Sequence, residues 1–286
     1  LDGAAYPPQV GPIGGDLEHL KFGVFPGDSR TFSVTLAAHT RDSELRRRLQ
    51  DPDAFVRAAA AIPTTRPYVE PDRSEPITDV YVMAGLLNRR HWFTTDDGEP
   101  TVLGLHAVGD AHTCTNPLYG RGCSLALVQA QLLADALAEH GLDHHARSVA
   151  YESATEREVT PWYRAAVAQD RLGRATEAER SEPERSEPER TRPGRPEPEQ
   201  AVLEPAEREQ AEMARSILRD GLFPALRSDP VVLRAFLRMM NLLAAPDALV
   251  TDGEVVTRVM QVYAQRGERP PEPPIGPNRA ELLHAL

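Results

Sequence analysis

Apolar and polar positions change period several times along the chain. Residues 21–39, KFGVFPGDSRTFSVTLAAH, hold two extended runs flanking Pro26, Gly27 and Asp28, a turn signal. In the second run Phe32, Val34 and Leu36 alternate with Thr31, Ser33 and Thr35, a period of two that predicts a strand with one buried face. The two runs together predict a hairpin, preceded by a Pro/Gly-rich loop over residues 1–20. Residues 42–63, DSELRRRLQDPDAFVRAAAAIP, change to a helical period. Ser43 is placed to cap a short helix, Asp51 or Asp53 a second, and Pro63 closes the segment. Strand-like composition returns over residues 77–93. Within it NRRHWF, residues 88–93, would set Arg89 and His91 on one face of an edge strand, with Arg90 and a core Trp92 on the other. TVLGLHAV, residues 101–108, is a nearly continuous apolar run ending at Gly109. It suits a strand buried on both faces, although a short buried helix would look similar.

Beyond Ser124 the pattern is helical. Leu125, Val128, Leu132, Leu133, Ala136 and Leu137 form one apolar face and Gly141 is the stop. A further helix is expected over residues 146–172, interrupted near Pro161. Residues 176–209 contain SEPER twice in tandem and then TRPGRPEPEQ. Mixed charge with repeated proline cannot bury apolar surface, so this stretch reads as a disordered or extended linker. Helical patterning resumes from residue 210, including SDPVVLRAFLRMMNLL, where Ser228 or Asp229 caps and Pro230 takes the first turn. TDGEVVTRVMQVYAQ gives the last clear helix.

Composition narrows the functional classes. A net charge of -11 argues against nucleic acid as a partner, because phosphate binding needs a basic surface. Two cysteines, Cys114 and Cys123, are too few for a disulfide scaffold, which makes a reducing cytoplasm the expected location. No apolar run approaches the ~18 residues that a membrane helix needs. The spacing of His112, Cys114 and Cys123 matches no common zinc pattern, so no metal site is expected.

The chemistry concentrates at residues 109–122, GDAHTCTNPLYGRG. An apolar run, a loop and then a helix would place the loop at the carboxyl end of a sheet, where open α/β sheets bind ligands. A helix start offers unpaired N–H groups and the positive end of its dipole. Gly120 and Gly122 allow close backbone approach and positive φ, and Pro117 stiffens the turn. Asp110 would repel a phosphate, but as an acceptor it suits hydroxyl donors. A ligand with hydroxyls at one end and an electron-rich edge at the other describes the ribityl chain and ring of a flavin.

Gly109-Asp110, Pro117 seven positions after the aspartate, then Gly120 and Gly122, resemble the second FAD-binding motif of the flavoprotein monooxygenase group. That group includes p-hydroxybenzoate-hydroxylase-like enzymes and their halogenase and geranylgeranyl-reductase relatives. The resemblance is sharp over residues 80–165. It implies that Gly109 and Asp110 meet the ribityl chain, and that Pro117, Leu118, Gly120, Arg121 and Gly122 lie beside the ring. The motif's histidine stands one place late, at His112. The group's first motif, a Gly-x-Gly-x-x-Gly unit for the ADP half, is absent. GPIGGD, residues 11–16, has neither its spacing nor its flanking strand, so the chain is expected to lack an N-terminal portion.

The expected fold is therefore α/β: a partial FAD-binding domain with an antiparallel substrate-domain sheet and a helical C-terminal region. The substrate-domain elements fall in residues 1–100, the FAD-binding part in 101–175, the linker in 176–209 and the helical region in 210–286. The resemblance implies an FAD-dependent oxidoreductase, a monooxygenase of a small organic substrate being one form, with an external electron donor and inactive as a fragment. In such enzymes the flavin carries the redox chemistry while the protein orients it and excludes water. The competing reading is a non-catalytic helical interaction protein that retains a flavin-site loop.

Overall fold

The computed structural model describes residue 6 and residues 13–84, 87–180, 205–270 and 274–286. They divide into two compact units. One comprises residues 1–84 with 270–286, the other residues 85–269.

The first unit is organised by the hairpin. β2 (Leu20–Pro26) pairs antiparallel with β3 (Phe32–Ala38), setting Phe22 opposite Leu36 and Val24 opposite Val34. The strand read from the sequence is present, but β3 is half-buried along its length with Ser33 alone exposed, and Leu36 and Ala38 pack against the core. Residues 1–20 are not all loop, because β1 (Gly14–Asp16) adds a short strand to the edge of β2, giving the order β1-β2-β3. Helix α1 (Ser43–Arg48) is capped by Asp42 and not by Ser43, the Asp42 carboxylate accepting from Leu45 N–H at 3.0 Å. The stronger acceptor, one residue earlier, satisfies an orphan donor of the first turn. Helix α2 (Pro52–Ala61) is capped by Asp51, which accepts from Ala54 N–H at 2.8 Å. Leu20, Phe22, Leu45, Leu49, Ala58 and Ile62 form the core with Leu282, which is supplied by the last helix, α11 (Arg279–Ala285).

The second unit is helical: α3 (Gly122–His140), α4 (His144–Glu158), α5 (Thr160–Arg180), α6 (Pro205–Ile217), α7 (Phe223–Ser228), α8 (Pro230–Met240), α9 (Ala248–Thr251) and α10 (Gly253–Ala264). The helix expected to break near Pro161 is two helices, with Pro161 in the first turn of α5, where a missing N–H costs nothing. Asp229 and Asp252 cap α8 and α10. Leu125, Val159, Trp162 and Met239 form one core of this unit, and Leu222, Ala225, Val232, Val255 and Val259 another. Helix α5 runs to Arg180 and α6 begins at Pro205, so both ends of the expected linker are helical. Its SEPER repeats lie outside the described residues.

The strand expectations between residues 77 and 108 are corrected. Residues 101–108 form bends and irregular backbone, with Val102, Leu103 and Leu105 half exposed. Of the stretch 77–93, Arg89–Arg90 alone is a named strand (β4) among the described residues, and Ile77, Tyr81, Val82 and Met83 are exposed. A buried strand needs ladder partners on both sides to satisfy its backbone. β4 finds one in β5 (Thr113–Cys114), and the apolar runs have none among the described residues. The overall class is nonetheless mixed α/β, mostly helical with small antiparallel sheets. No described helix is long and apolar enough to cross a membrane.

Candidate functional site

The segment 109–122 is built against the start of α3. Gly109 adopts φ +66°, and a Cβ there would lie 3.4 Å from the Ala126 methyl, so the turn presses on the second turn of α3. A left-handed conformation at this position suits glycine. Gly109 N–H donates to Gln129 Oε1 at 2.6 Å. The next residue, Asp110, is exposed, and no described side chain or N–H is bonded to it. Gly109–Ala111 form one 3-10 turn, after which the chain pairs as β5 with Arg89 and Arg90.

His112, one place past the motif position, points inward and is fully buried. Gln129 ties it to the turn: Oε1 accepts from Gly109 N–H, and Nε2 lies 3.1 Å from His112 Nδ1, which also meets Thr113 Oγ1 at 2.8 Å. On the other side of the ring, Nε2 faces Glu152 Oε2 at 3.5 Å. The Tyr151 hydroxyl donates to Ala107 O at 2.6 Å, and the Arg147 guanidinium donates to His106 Nε2 and to Gly141 O. Burial, with Arg147 nearby, holds the pKa of His106 below its ordinary value. Helix α4 therefore holds the approach to the loop from inside. His112 belongs to this internal scaffold.

Pro117–Tyr119 form a second 3-10 turn, capped by Asn116, whose Oδ1 accepts from Leu118 N–H at 3.0 Å. Gly120 ends that turn at φ +66°. A Cβ at Gly120 or at Gly122 would meet nothing within 4 Å, so the backbone here borders open space. Helix α3 then starts with Arg121 at the cap position and no side-chain cap, although α1, α2, α4, α8, α10 and α11 all have an Asp or Asn acceptor there. The first-turn N–H groups of α3 are therefore left to solvent or ligand. Arg121 itself is buried at 7% exposure. Its guanidinium lies 4.9 Å from the Trp162 ring and 5.9 Å from the Tyr119 ring, and no described carboxylate pairs with it. The helix start and this cation make the loop electropositive beside the exposed Asp110.

The structure brings Gly109, Asp110, Gly120, Arg121 and Gly122 around the first turns of α3, with exposed Pro117 and Leu118 on the outer side of the loop. NRRHWF is placed differently from expectation. Arg90 is the buried residue, ion-paired with Glu156, and Trp92 is 59% exposed under the Arg90 guanidinium. A buried arginine bonded to a carboxylate has its charge compensated, which leaves the indole outside. The core tryptophan of this unit is Trp162. Cys114 is partly buried and Cys123 exposed, both with free thiols. Burial and nearby Asp110 push the Cys114 thiol up, away from reactivity. Among the described residues no group of three His, Cys, Asp or Glu side chains is arranged to hold a metal ion. Two shallow depressions of about 350 and 380 Å³ lie along α8, and no residue of 109–122 lines them.

The residues that sequence reasoning missed are the supports: Gln129, Glu152, Arg147 and Asp170, whose Oδ1 accepts from the Tyr119 hydroxyl and Asn116 Nδ2 of the loop. Gln129 carried a signal, since a glutamine stands one turn from Leu125 in the apolar stripe of α3. The others sit on helices whose pattern sets them apart in no way. No family model matches the chain, and no curated protein or solved structure matches it.

Proposed function

We infer that the chain is part of an FAD-dependent oxidoreductase, acting as a monooxygenase on a small organic substrate, and that residues 109–122 receive the ribityl and ring half of the flavin. One observation carries this reading. A helix start without a side-chain cap is bordered by two unobstructed glycines, and the turn packed on the same helix at Ala126 and Gln129 carries an exposed aspartate that no described residue hydrogen-bonds. The donor set fits the group: hydroxyls of the ribityl chain meet an acceptor-only carboxylate at Asp110, and the electron-rich edge of the ring meets free N–H groups at Gly122 and beyond. When bound, the flavin supplies the electron transfer and oxygen activation. The chain's own residues orient it. Gly109 and Gln129 fix where Asp110 stands, Pro117 and Leu118 cover the outer face, and Arg121 adds positive charge under the loop. Substrate and electron donor are further partners of this reading, and its setting is the cytoplasm.

The interaction-protein reading has one observation in its favour, the exposed Leu233, Leu237 and Leu243 on and after α8. A single titration separates the two. Followed by flavin fluorescence, the chain should bind FAD with a Kd of about 100 µM or weaker, roughly -5.5 kcal/mol, since no residue motif holds the ADP half. Asp110→Ala should weaken binding at least tenfold through loss of a charge-assisted hydrogen bond. An affinity that does not change in Asp110→Ala would sink the ribityl assignment.

A further inference from the structure

The loop beside α3 has almost no packing of its own. Pro117 and Leu118 are exposed, and Gly120 and Gly122 border open space, so apolar contact does not select its conformation. Hydrogen bonds do, and they converge on one side chain. Asp170, on α5, accepts from the Tyr119 hydroxyl at 2.6 Å and from Asn116 Nδ2 at 2.9 Å through Oδ1, and from Asn88 Nδ2 at 2.6 Å through Oδ2. The Asn88 side chain closes the ring, its Oδ1 accepting from Asn116 N–H at 2.9 Å. Asn116 Oδ1 in turn caps the 3-10 turn at Leu118. Tyr119 is the shared node, with its hydroxyl on Asp170 and its ring against Arg121, the residue that opens α3.

We propose that Asp170 is a positioning residue: its carboxylate fixes the loop 116–122 in the conformation that presents the uncapped start of α3 to ligand. The proposal rests on the flavin reading above and extends the site beyond the stretch that carries the motif. A carboxylate can accept from all three donors at once, and an amide cannot. In Asp170→Asn one oxygen can still serve Tyr119 and Asn116, but an NH₂ then faces the NH₂ of Asn88. Turning Asn88 over would relieve that clash only by giving up the bond to Asn116 N–H. A single atom change therefore breaks the ring at one of two places.

The test uses the full chain, with hydrogen exchange at Leu118, Tyr119 and Gly120, whose N–H groups bond within the turn, and FAD titration by fluorescence. Asp170→Asn should speed exchange at these amides tenfold or more and raise the FAD Kd about tenfold. Tyr119→Phe, which keeps the ring, should move both by about threefold and keeps the test open if the asparagine variant fails to fold. Val259→Ala, in the other core of the unit, should lower Tm without moving either, which separates positioning from general stability. Unchanged exchange in Asp170→Asn and Tyr119→Phe would overturn the proposal. So would faster exchange with unchanged FAD affinity, which would make Asp170 purely structural. Faster exchange in the variants, with a wild-type chain that binds no FAD at millimolar concentration, would instead overturn the flavin reading and leave Asp170 the fixed point of the loop.

Discussion

Helices α2 and α3 begin in opposite ways. At α2 the chain supplies its own acceptor, Asp51, followed by Pro52 in the first turn, and the orphan N–H groups are met locally. At α3 the equivalent place is Arg121, whose side chain turns away onto Trp162 and Tyr119. The start of α3 is held instead from behind, through Gln129, His112 and Glu152 on one side and Asp170 on the other. A self-capped start is closed to further partners. A start held from behind keeps its donors free, and the molecule spends a buried polar network to do so.

The most severe way to break this contrast is at Gln129. Gln129→Leu leaves Gly109 N–H without its acceptor inside the fold and strips His112 Nδ1 of one of its two contacts, Thr113 Oγ1 remaining. It should destabilise the second unit by roughly 2–4 kcal/mol, read by denaturant unfolding. A loss under 1 kcal/mol would mean that the network does not hold the start of α3. Removing the α2 cap with Asp51→Ala should cost about 1 kcal/mol.

Asp42 sharpens the comparison, because this cap of α1 has a second task. Arg279 donates to both of its oxygens, at 2.6 and 2.9 Å. That guanidinium holds the Asp42 carboxyl below the usual carboxylate range. The folded state then binds the proton less readily than the unfolded state. The stabilisation is complete above the unfolded value near ~3.9 and disappears as pH falls through the lower folded value. Asp42→Asn keeps a capping oxygen and loses the charge. Its deficit should be about 0.5 kcal/mol at neutral pH, since Arg279 is half exposed, and should vanish in strong acid. A deficit independent of pH would assign the effect to capping alone. The smallest expected effect is at Asp110. Exposed, and hydrogen-bonded by none of the described residues, it should tolerate Asp110→Ala within about 0.5 kcal/mol in stability. A larger loss would place it in the scaffold with His112.

The legible parts of the sequence were those where a local pattern settles the outcome. Alternation at Phe32, Val34 and Leu36 gives β3, and Asp229 with Pro230 gives the start of α8. Gly120 was readable as a left-handed position because few other residues suit it. The run 101–108 was misleading, because apolarity reports a wish for burial and not the presence of partners to supply it. The supports of the loop were invisible for a different reason. Asp170 lies 54 residues from Asn116 and 82 from Asn88, and no local period records which carboxylate three distant donors will meet.

The first unit draws its core from both ends of the described chain, with Leu282 seated among Leu20, Leu45 and Ile62. On the ribosome these parts emerge at opposite times. The hairpin, α1 and α2 leave early but must wait, incompletely covered, until α11 is made. Residues 85–269 can meanwhile assemble from contacts internal to themselves. The order of folding thus runs against the order of synthesis: of the two units, the one whose hairpin emerges earlier is completed later. A translation stall before residue 279 would release a chain whose helical unit is formed while the hairpin still shows the face of Leu20 and Phe22.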